Sequence, residues 1–212
     1  MSILFFKGNR MNKTIKKSII IFILGSLLVG TVYAQSSVDL SIGTIAYGGS
    51  ACPIGSVEVT QGSEDQNLSI AIGSIKAQAG HTSGFRMARS TCSIRIPVRV
   101  PSGYAVSMAL PEIKGTILNP VGGSITLVVD SEIVGRKNKR VVRQISKEMN
   151  DQFALGDSTI DPKLQTWSSC GGEVLLGLTI SATAVSNIKM EEAIVSIDPI
   201  LLANNILIKR CL

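Results

Sequence analysis

The residues of this 212-residue chain that could carry chemistry are four cysteines, one histidine, three near-pairs of carboxylates and one basic cluster. His81 is the only histidine, so any catalytic triad, imidazole metal cluster or imidazole acid–base pair must use it. It sits in Ala77-Gln-Ala-Gly80-His-Thr-Ser-Gly84, a polar stretch with no acidic neighbour in sequence, and reads as an exposed loop histidine. The carboxylates nearest to pairs are Glu64 with Asp65, Asp157 with Asp161, and Glu191 with Glu192. Two acids from distant strands can meet across a cleft as a glycosidase requires, but each of these lies beside turn-like residues, where solvated surface is the plain reading. No Gly-x-Ser-x-Gly elbow, phosphate-cradling loop or His-Glu-x-x-His motif occurs. The chain is therefore read as non-enzymatic, with no catalytic residues, cofactor or metal site.

The cysteines, Cys52, Cys92, Cys170 and Cys211, all follow an N-terminal segment with the secretory pattern. From Met11 this segment places Lys13, Lys16 and Lys17 before an apolar run from Ile19 to Val29, then Thr31-Val-Tyr-Ala34 with small residues at the cleavage positions. Residues 1–34 are thus read as a signal peptide, with Met11 an alternative start, cleavage near Ala34 and a mature chain from Gln35. The alternative is a retained anchor, since the apolar run, though broken by Gly25 and Gly30, approaches spanning length. Cleavage leaves no transmembrane segment in the mature chain and delivers it to the periplasm or the exterior. There an even number of cysteines implies disulfides rather than metal binding or thiol catalysis. No Cys-x-x-Cys spacing marks a redox-active pair.

The signal also accounts for the charge. Residues 1–34 hold five cations and no acid, which leaves 16 Lys and Arg against 15 Asp and Glu, a net +1, where the whole chain has +6. A global electrostatic case for nucleic acid therefore fails, and none is expected as a partner. What remains is local: Arg136-Lys137-Asn-Lys139-Arg140, followed by Arg143, lies between two apolar β-branched pairs and reads as a hairpin tip with Asn138 tolerating a positive φ. Arg136, Lys137, Lys139 and Arg140 are the candidate contact to an anionic polymer or cell surface. A solvated loop that blunts a sheet edge is the plainer alternative.

The elements that must position these residues read as strands. Residues 35–212 suit one domain, and short Val-, Ile- and Thr-rich segments recur between Gly, Pro, Asn and Ser clusters. The candidates are Val38 to Tyr47, Ser56 to Gln61, Leu68 to Ile75, Ser93 to Val100, Tyr104 to Leu110, Gly123 to Val129, Val141 to Ile145, Glu173 to Ala184, Ile194 to Ile197 and Ile206 to Arg210. About ten short antiparallel strands predict an all-β sandwich with little helix, a short helix around Glu191 to Val195 being the one candidate. In Ser93 to Val100, Ile94, Ile96, Val98 and Val100 face one way and Arg95, Pro97 and Arg99 the other, so one face is buried and one is wet. Pro97 cannot donate to a ladder, which predicts an edge or a bulge there. Pro101-Ser-Gly-Tyr104 predicts a turn that makes a hairpin with the next strand.

The cysteine contexts resemble a secreted family, the domain of unknown function 4360. Gly49-Ser-Ala-Cys52-Pro-Ile-Gly-Ser56 is similar to its opening motif, and Arg89-Ser-Thr-Cys92, Val100-Pro-Ser-Gly-Tyr104, Lys114-Gly115, Trp167-Ser-Ser-Cys170-Gly171 and Lys209-Arg210-Cys211 follow in its order. Lys114 stands where an arginine is common, Val100 replaces an aromatic, and Lys137 to Asp161 resembles the family poorly. The resemblance implies a secreted β-sandwich stapled by two disulfides and implies no activity.

Four cysteines allow three pairings. Cys52 with Cys92 and Cys170 with Cys211 is favoured, each cysteine opening or closing a strand segment, and the other two stay open. A loop of roughly forty residues closed by each bridge contributes about 3 to 4 kcal/mol in the chain-entropy model. Trp167, the only tryptophan, suits packing beside Cys170 better than stacking on a sugar. Asn67-Leu-Ser69 is a formal glycosylation sequon. The functional expectation is a non-catalytic structural, adhesive or ligand-binding module outside the cytoplasm. The alternatives are an extracellular hydrolase with paired carboxylates and a subunit of a pilus or surface polymer.

Overall fold

Alternation of buried and exposed side chains runs through nearly every segment of the computed structural model, which describes residues 38, 40–61, 68–136, 139–156, 165–187, 191–203 and 205–211. These fall within one unit, Ser37–Leu212. The strands are β1 (Ser41–Ile42), β2 (Ala46–Gly48), β3 (Val57–Gln61), β4 (Leu68–Ile72), β5 (Ile75–Ala79), β6 (Met87–Val100), β7 (Tyr104–Met108), β8 (Ile113–Asn119), β9 (Ser124–Ile133), β10 (Lys139–Ile145), β11 (Met149–Leu155), β12 (Gly172–Val185), β13 (Ala193–Ile197), β14 (Ile200–Ala203) and β15 (Ile206–Arg210).

The fold is an all-β sandwich of antiparallel sheets. One sheet runs β1-β6-β12-β9-β10, with β2 also on β6, and the other runs β11-β8-β13-β5. Between them lie Ile94, Ile96 and Val98 of β6, Leu176, Leu178 and Ile180 of β12, and Ile125, Leu127 and Val129 of β9. Ile75 of β5, Ile113 and Ile117 of β8, and Val195 and Ile197 of β13 meet them from the other sheet. Each such side chain contributes about 1.5–3 kcal/mol when buried, so this period-two pattern fixes the register, because a one-residue slip would turn every one of them to water. Two smaller sheets, β14-β4-β3 and β15-β7, add Ile70, Ile72, Leu202 and Val106 to the same core.

Several sequence expectations need correction. The chain has more strands than the ten expected. The segment read as Leu68 to Ile75 divides at exposed Gly73-Ser74, so that β4 and β5 lie in different sheets. β8, β11 and β14 were not foreseen, and β6 begins at Met87 rather than Ser93. No helix occurs among the described residues; the strand expected at Ile194 to Ile197 is present as Ala193–Ile197, and the short helix considered around Glu191 to Val195 is not formed.

The expected hairpin between β6 and β7 does not form. The turn is present, Tyr104 N–H donating to Pro101 O at 3.2 Å with Gly103 at φ +83°. However, β6 already carries β12 on one side and β1 and β2 on the other, so the turn ejects the chain, and β7 pairs with β15. Pro97 is likewise not on an edge strand. The edge beside it is interrupted instead: β1 ends at Ile42, β2 begins at Ala46, and between them Gly43 N–H donates to Pro97 O at 2.9 Å. The reciprocal donor that proline lacks falls in that gap.

Candidate functional site

The six-stranded sheet turns an outer face to solvent, and the pairing register assembles it row by row. Arg99 stands opposite Glu173, Pro97 opposite Leu175, Arg95 opposite Gly177, Ser93 opposite Thr179 and Thr91 opposite Ser181. Glu132 of β9 continues the Gly177 row and Asp130 the Thr179 row, with Arg140 of β10 opposite Asp130. These are the outward positions of strands whose alternate residues fill the core, so the sequence that builds the core also builds this face.

The face is ordered by its own contacts. Arg95 Nη2 meets Glu132 Oε1 at 2.7 Å, with side-chain exposures of 37% and 31%. The two residues lie on strands separated by β12, and their contact passes over Gly177. A Cβ at Gly177 would come within 2.6 Å of Arg95 Nη1 and 2.8 Å of Glu132 Cγ. Below this pair runs a ladder of hydroxyls: Ser93 Oγ with Thr179 Oγ1 at 3.0 Å, Thr91 Oγ1 donating to Ser181 Oγ at 3.2 Å, and Arg89 Nε donating to Ser181 Oγ at 3.0 Å. Above it, Arg99 Nη2 meets Glu173 Oε1 at 2.9 Å on the rim of an open cleft of about 420 Å³, over Pro97, Leu175, Ser41 and Gly43. Leu175, 37% exposed, gives the cleft an apolar floor beside the charged rim. Serine and threonine in strands give no sequence signal beyond β propensity, so this network was not foreseen. The outward Arg95 and Arg99 were its only sign.

Both favoured disulfides are present. Cys52 pairs with Cys92 across Cα atoms 5.1 Å apart, and Cys170 with Cys211 across 6.1 Å. Cys92 sits inside β6 rather than opening it, and the Cys52–Cys92 bridge belongs to the core at 2% and 1% exposure. Cys170 is exposed and Cys211 half-buried. Trp167 stacks under the Lys209 ammonium at 4.6 Å, and Tyr104 under the Arg210 guanidinium at 5.9 Å. Each cation is worth about 0.5–1 kcal/mol on an exposed ring.

The basic cluster does lie between two paired strands, since β9 and β10 are antiparallel with Lys139 opposite Ser131. Arg136 and Arg140 are exposed and Lys139 half-buried, while Lys137 lies outside the described residues, as does Asn138. The turn's positive φ is at Gly135, +86°, with Arg136 N–H donating to Ile133 O at 2.8 Å.

Of the carboxylate near-pairs, Glu64 and Asp65, and Asp157 and Asp161, lie outside the described residues, as does Asn67 of the sequon. Glu192 is placed: its Oε1 accepts the Ser83 N–H at 2.8 Å, anchoring the loop that carries exposed His81. This carboxylate comes from 109 residues beyond Ser83, and it holds the loop by its backbone. Among the described residues, no group of three or more His, Cys, Asp or Glu could hold a metal ion, and no helix is long and apolar enough to cross a membrane.

Fold and face together define an all-β sandwich, stapled by two disulfides, whose broad solvent-facing sheet is ordered by ion pairs and hydroxyl contacts. The chain belongs to the family described as Domain of unknown function (DUF4360), whose model matches residues 38–206. This is the family that the cysteine contexts resemble, with Lys209-Arg210-Cys211 beyond the matched span. No curated protein matches. Among solved structures, TmCBM61 in complex with β-1,4-galactotriose is similar at 8% identity over 79% of this chain and 88% of that chain, with a TM-score of 0.24. The Family 11 Carbohydrate-Binding Module from Clostridium thermocellum, in complex with a β-1,3-1,4-mixed-linked tetrasaccharide, is similar at 9% identity over 79% of this chain and 89% of that chain, with a TM-score of 0.22. At these scores neither structure carries an argument about this chain.

Proposed function

We propose that this protein is an exported, non-catalytic binding module that holds an extended, hydroxyl-rich polymer along the outer face of its six-stranded sheet. The observation that carries this reading is the Arg95–Glu132 pair closed over Gly177, continuous with the hydroxyl ladder on one side and the Arg99–Glu173 cleft on the other. Charged groups already paired keep fixed positions, and their remaining donors and acceptors are presented in rows along two neighbouring fourteen-residue strands. Such rows suit a long chain of hydrogen-bonding units rather than a compact substrate. A hydrolase needs one carboxylate held protonated and a second placed to attack. Glu132 and Glu173 are each already engaged by an arginine, at 2.7 Å and 2.9 Å, so neither stands opposite a second carboxylate in the arrangement a glycosidase requires.

Cleavage near Ala34 and delivery outside the cytoplasm belong to the same proposal, as does contact of the Arg136-Lys137-Asn-Lys139-Arg140 tip with an anionic surface at the end of the module. Affinity electrophoresis of the oxidised protein through gels containing neutral polysaccharides tests the central claim. Retardation that is lost in the Arg95→Ala, Glu132→Ala variant supports it. Equal mobility of wild type and variant in every polymer, or release of reducing ends from the polymer, overturns it.

A further inference from the structure

The two bridges close loops of nearly equal length, 40 and 41 residues, yet they sit in opposite environments. Cys52 and Cys92 lie among the core side chains, and attack on either sulfur would require β6 to open. Cys170 is exposed, on a loop that runs beside β7 and hydrogen-bonds to it through Ser168 N–H to Val106 O and Gly171 N–H to Tyr104 O. Cys211 follows β15 directly, and its N–H donates to Gly103 O at 2.8 Å. The second bridge therefore clamps three segments at the start of β7. The strand it holds, β15, pairs with β7 alone among the described strands.

We propose that Cys170–Cys211 is a site of thiol–disulfide exchange, taking a small or protein dithiol as its partner, while Cys52–Cys92 stays oxidised. An incoming thiolate attacks the exposed Cys170 sulfur, forming a mixed disulfide as the Cys170–Cys211 bond breaks, and the electron pair leaves on the less exposed Cys211 sulfur. The partner's second thiolate then attacks its own sulfur in the mixed disulfide. The products are an oxidised partner and two reduced cysteines, a two-electron transfer in which the bridge is the oxidant. Release of Cys211 removes the covalent tie on β15 and leaves it held by its ladder to β7, the Cys211 N–H to Gly103 O bond and the two cation–ring contacts, so exchange loosens the C-terminal strand and leaves the sandwich core intact.

The oxidised protein, treated with graded dithiothreitol, quenched by alkylation and mapped by mass spectrometry, tests this. Labelling of Cys170 and Cys211 at least about tenfold faster than Cys52 and Cys92 is expected, with Trp167 emission changing on the faster time course as the neighbouring bridge opens. Simultaneous appearance of all four thiols, or earlier labelling of Cys52 and Cys92, overturns the proposal. A second arm uses glutathione, a monothiol, to trap the intermediate. An adduct on Cys170 supports the stated direction of attack, and an adduct on Cys211 overturns it. Both arms use the natural chain, so neither depends on a variant that folds.

Discussion

Gly177 shows how a single missing side chain shapes the surface. It stands between Arg95 and Glu132 on the neighbouring strands, and the ion pair closes through the space a Cβ would fill. Gly177→Ala is expected to displace the pair at little cost to the fold. The atoms in the way are ends of flexible side chains, a half-exposed pair is worth about 0–1 kcal/mol, and alanine recovers part of that in strand entropy. Urea melts within about 1 kcal/mol of wild type, together with weakened polymer retardation, would fit this account. A large stability loss with unchanged retardation would mean that the glycine serves packing alone. Glu192 carries a prediction of another kind. Burial raises its pKa, but the Ser83 backbone N–H, the Gln78 and Ser83 side chains and the Thr82 backbone lower it more, and the net direction is below the ordinary value of 4.5. With the folded pKa depressed, the unfolded chain takes up the proton first. The stabilisation is complete above the ordinary glutamate range and is lost as pH falls through the folded value. Glu192→Gln should therefore flatten the acid side of the stability profile measured by urea titration between pH 7 and about pH 3. Parallel profiles for the two proteins would remove this role.

At the scale of elements, the sequence shows most where burial is one-sided and apolar. The alternation of Ile94, Ile96, Val98 and Val100 identifies the C-terminal half of β6 and its buried face, and β12 and β13 are legible for the same reason. The N-terminal half of β6 is not, because Ala88, Arg89, Ser90 and Thr91 hold the ladder without filling the core. β11 is hidden for a related reason, since Met149-Asn-Asp-Gln-Phe-Ala-Leu buries only Phe153, and β8 is interrupted by Gly115 between polar residues. Local signals also do not fix partners. The Pro101–Tyr104 turn is real, yet occupancy of both edges of β6 decides where β7 goes. The tip between β9 and β10 was legible as a charged turn, and the surface contact proposed for it rests on exposed charge rather than on packing. Replacing Arg136, Lys137, Lys139 and Arg140 with Ser should leave stability within about 0.5 kcal/mol, as surface substitutions do. It should also reduce adsorption to anionic beads or vesicles at low salt, a difference that fades as the Debye length shrinks from about 10 Å at 0.1 M salt. Adsorption equal to wild type at low salt would leave the tip a solvated loop.

For the whole molecule, the two bridges separate contributions that are usually confounded. In the chain-entropy model, loops of 40 and 41 residues stabilise by the same amount, about 4 kcal/mol each, so loop length predicts equal losses when either is removed. Burial predicts otherwise. Cys52 and Cys92 also fill core volume between β6 and the turn before β3, so replacing both with alanine adds a packing defect to the lost cross-link. Cys170 and Cys211 contribute little buried volume, and β15 keeps its ladder to β7 without them. Cys52→Ala with Cys92→Ala should therefore lower the urea midpoint further than Cys170→Ala with Cys211→Ala, by an amount equivalent to about 1–2 kcal/mol at similar slope. Equal midpoints would mean that cross-linking of the unfolded chain sets stability wherever the bridge lies. A lower midpoint for the surface-bridge variant would place the weak point of the sandwich at β7 and β15, and the C-terminal strand would then be a structural requirement instead of a releasable latch.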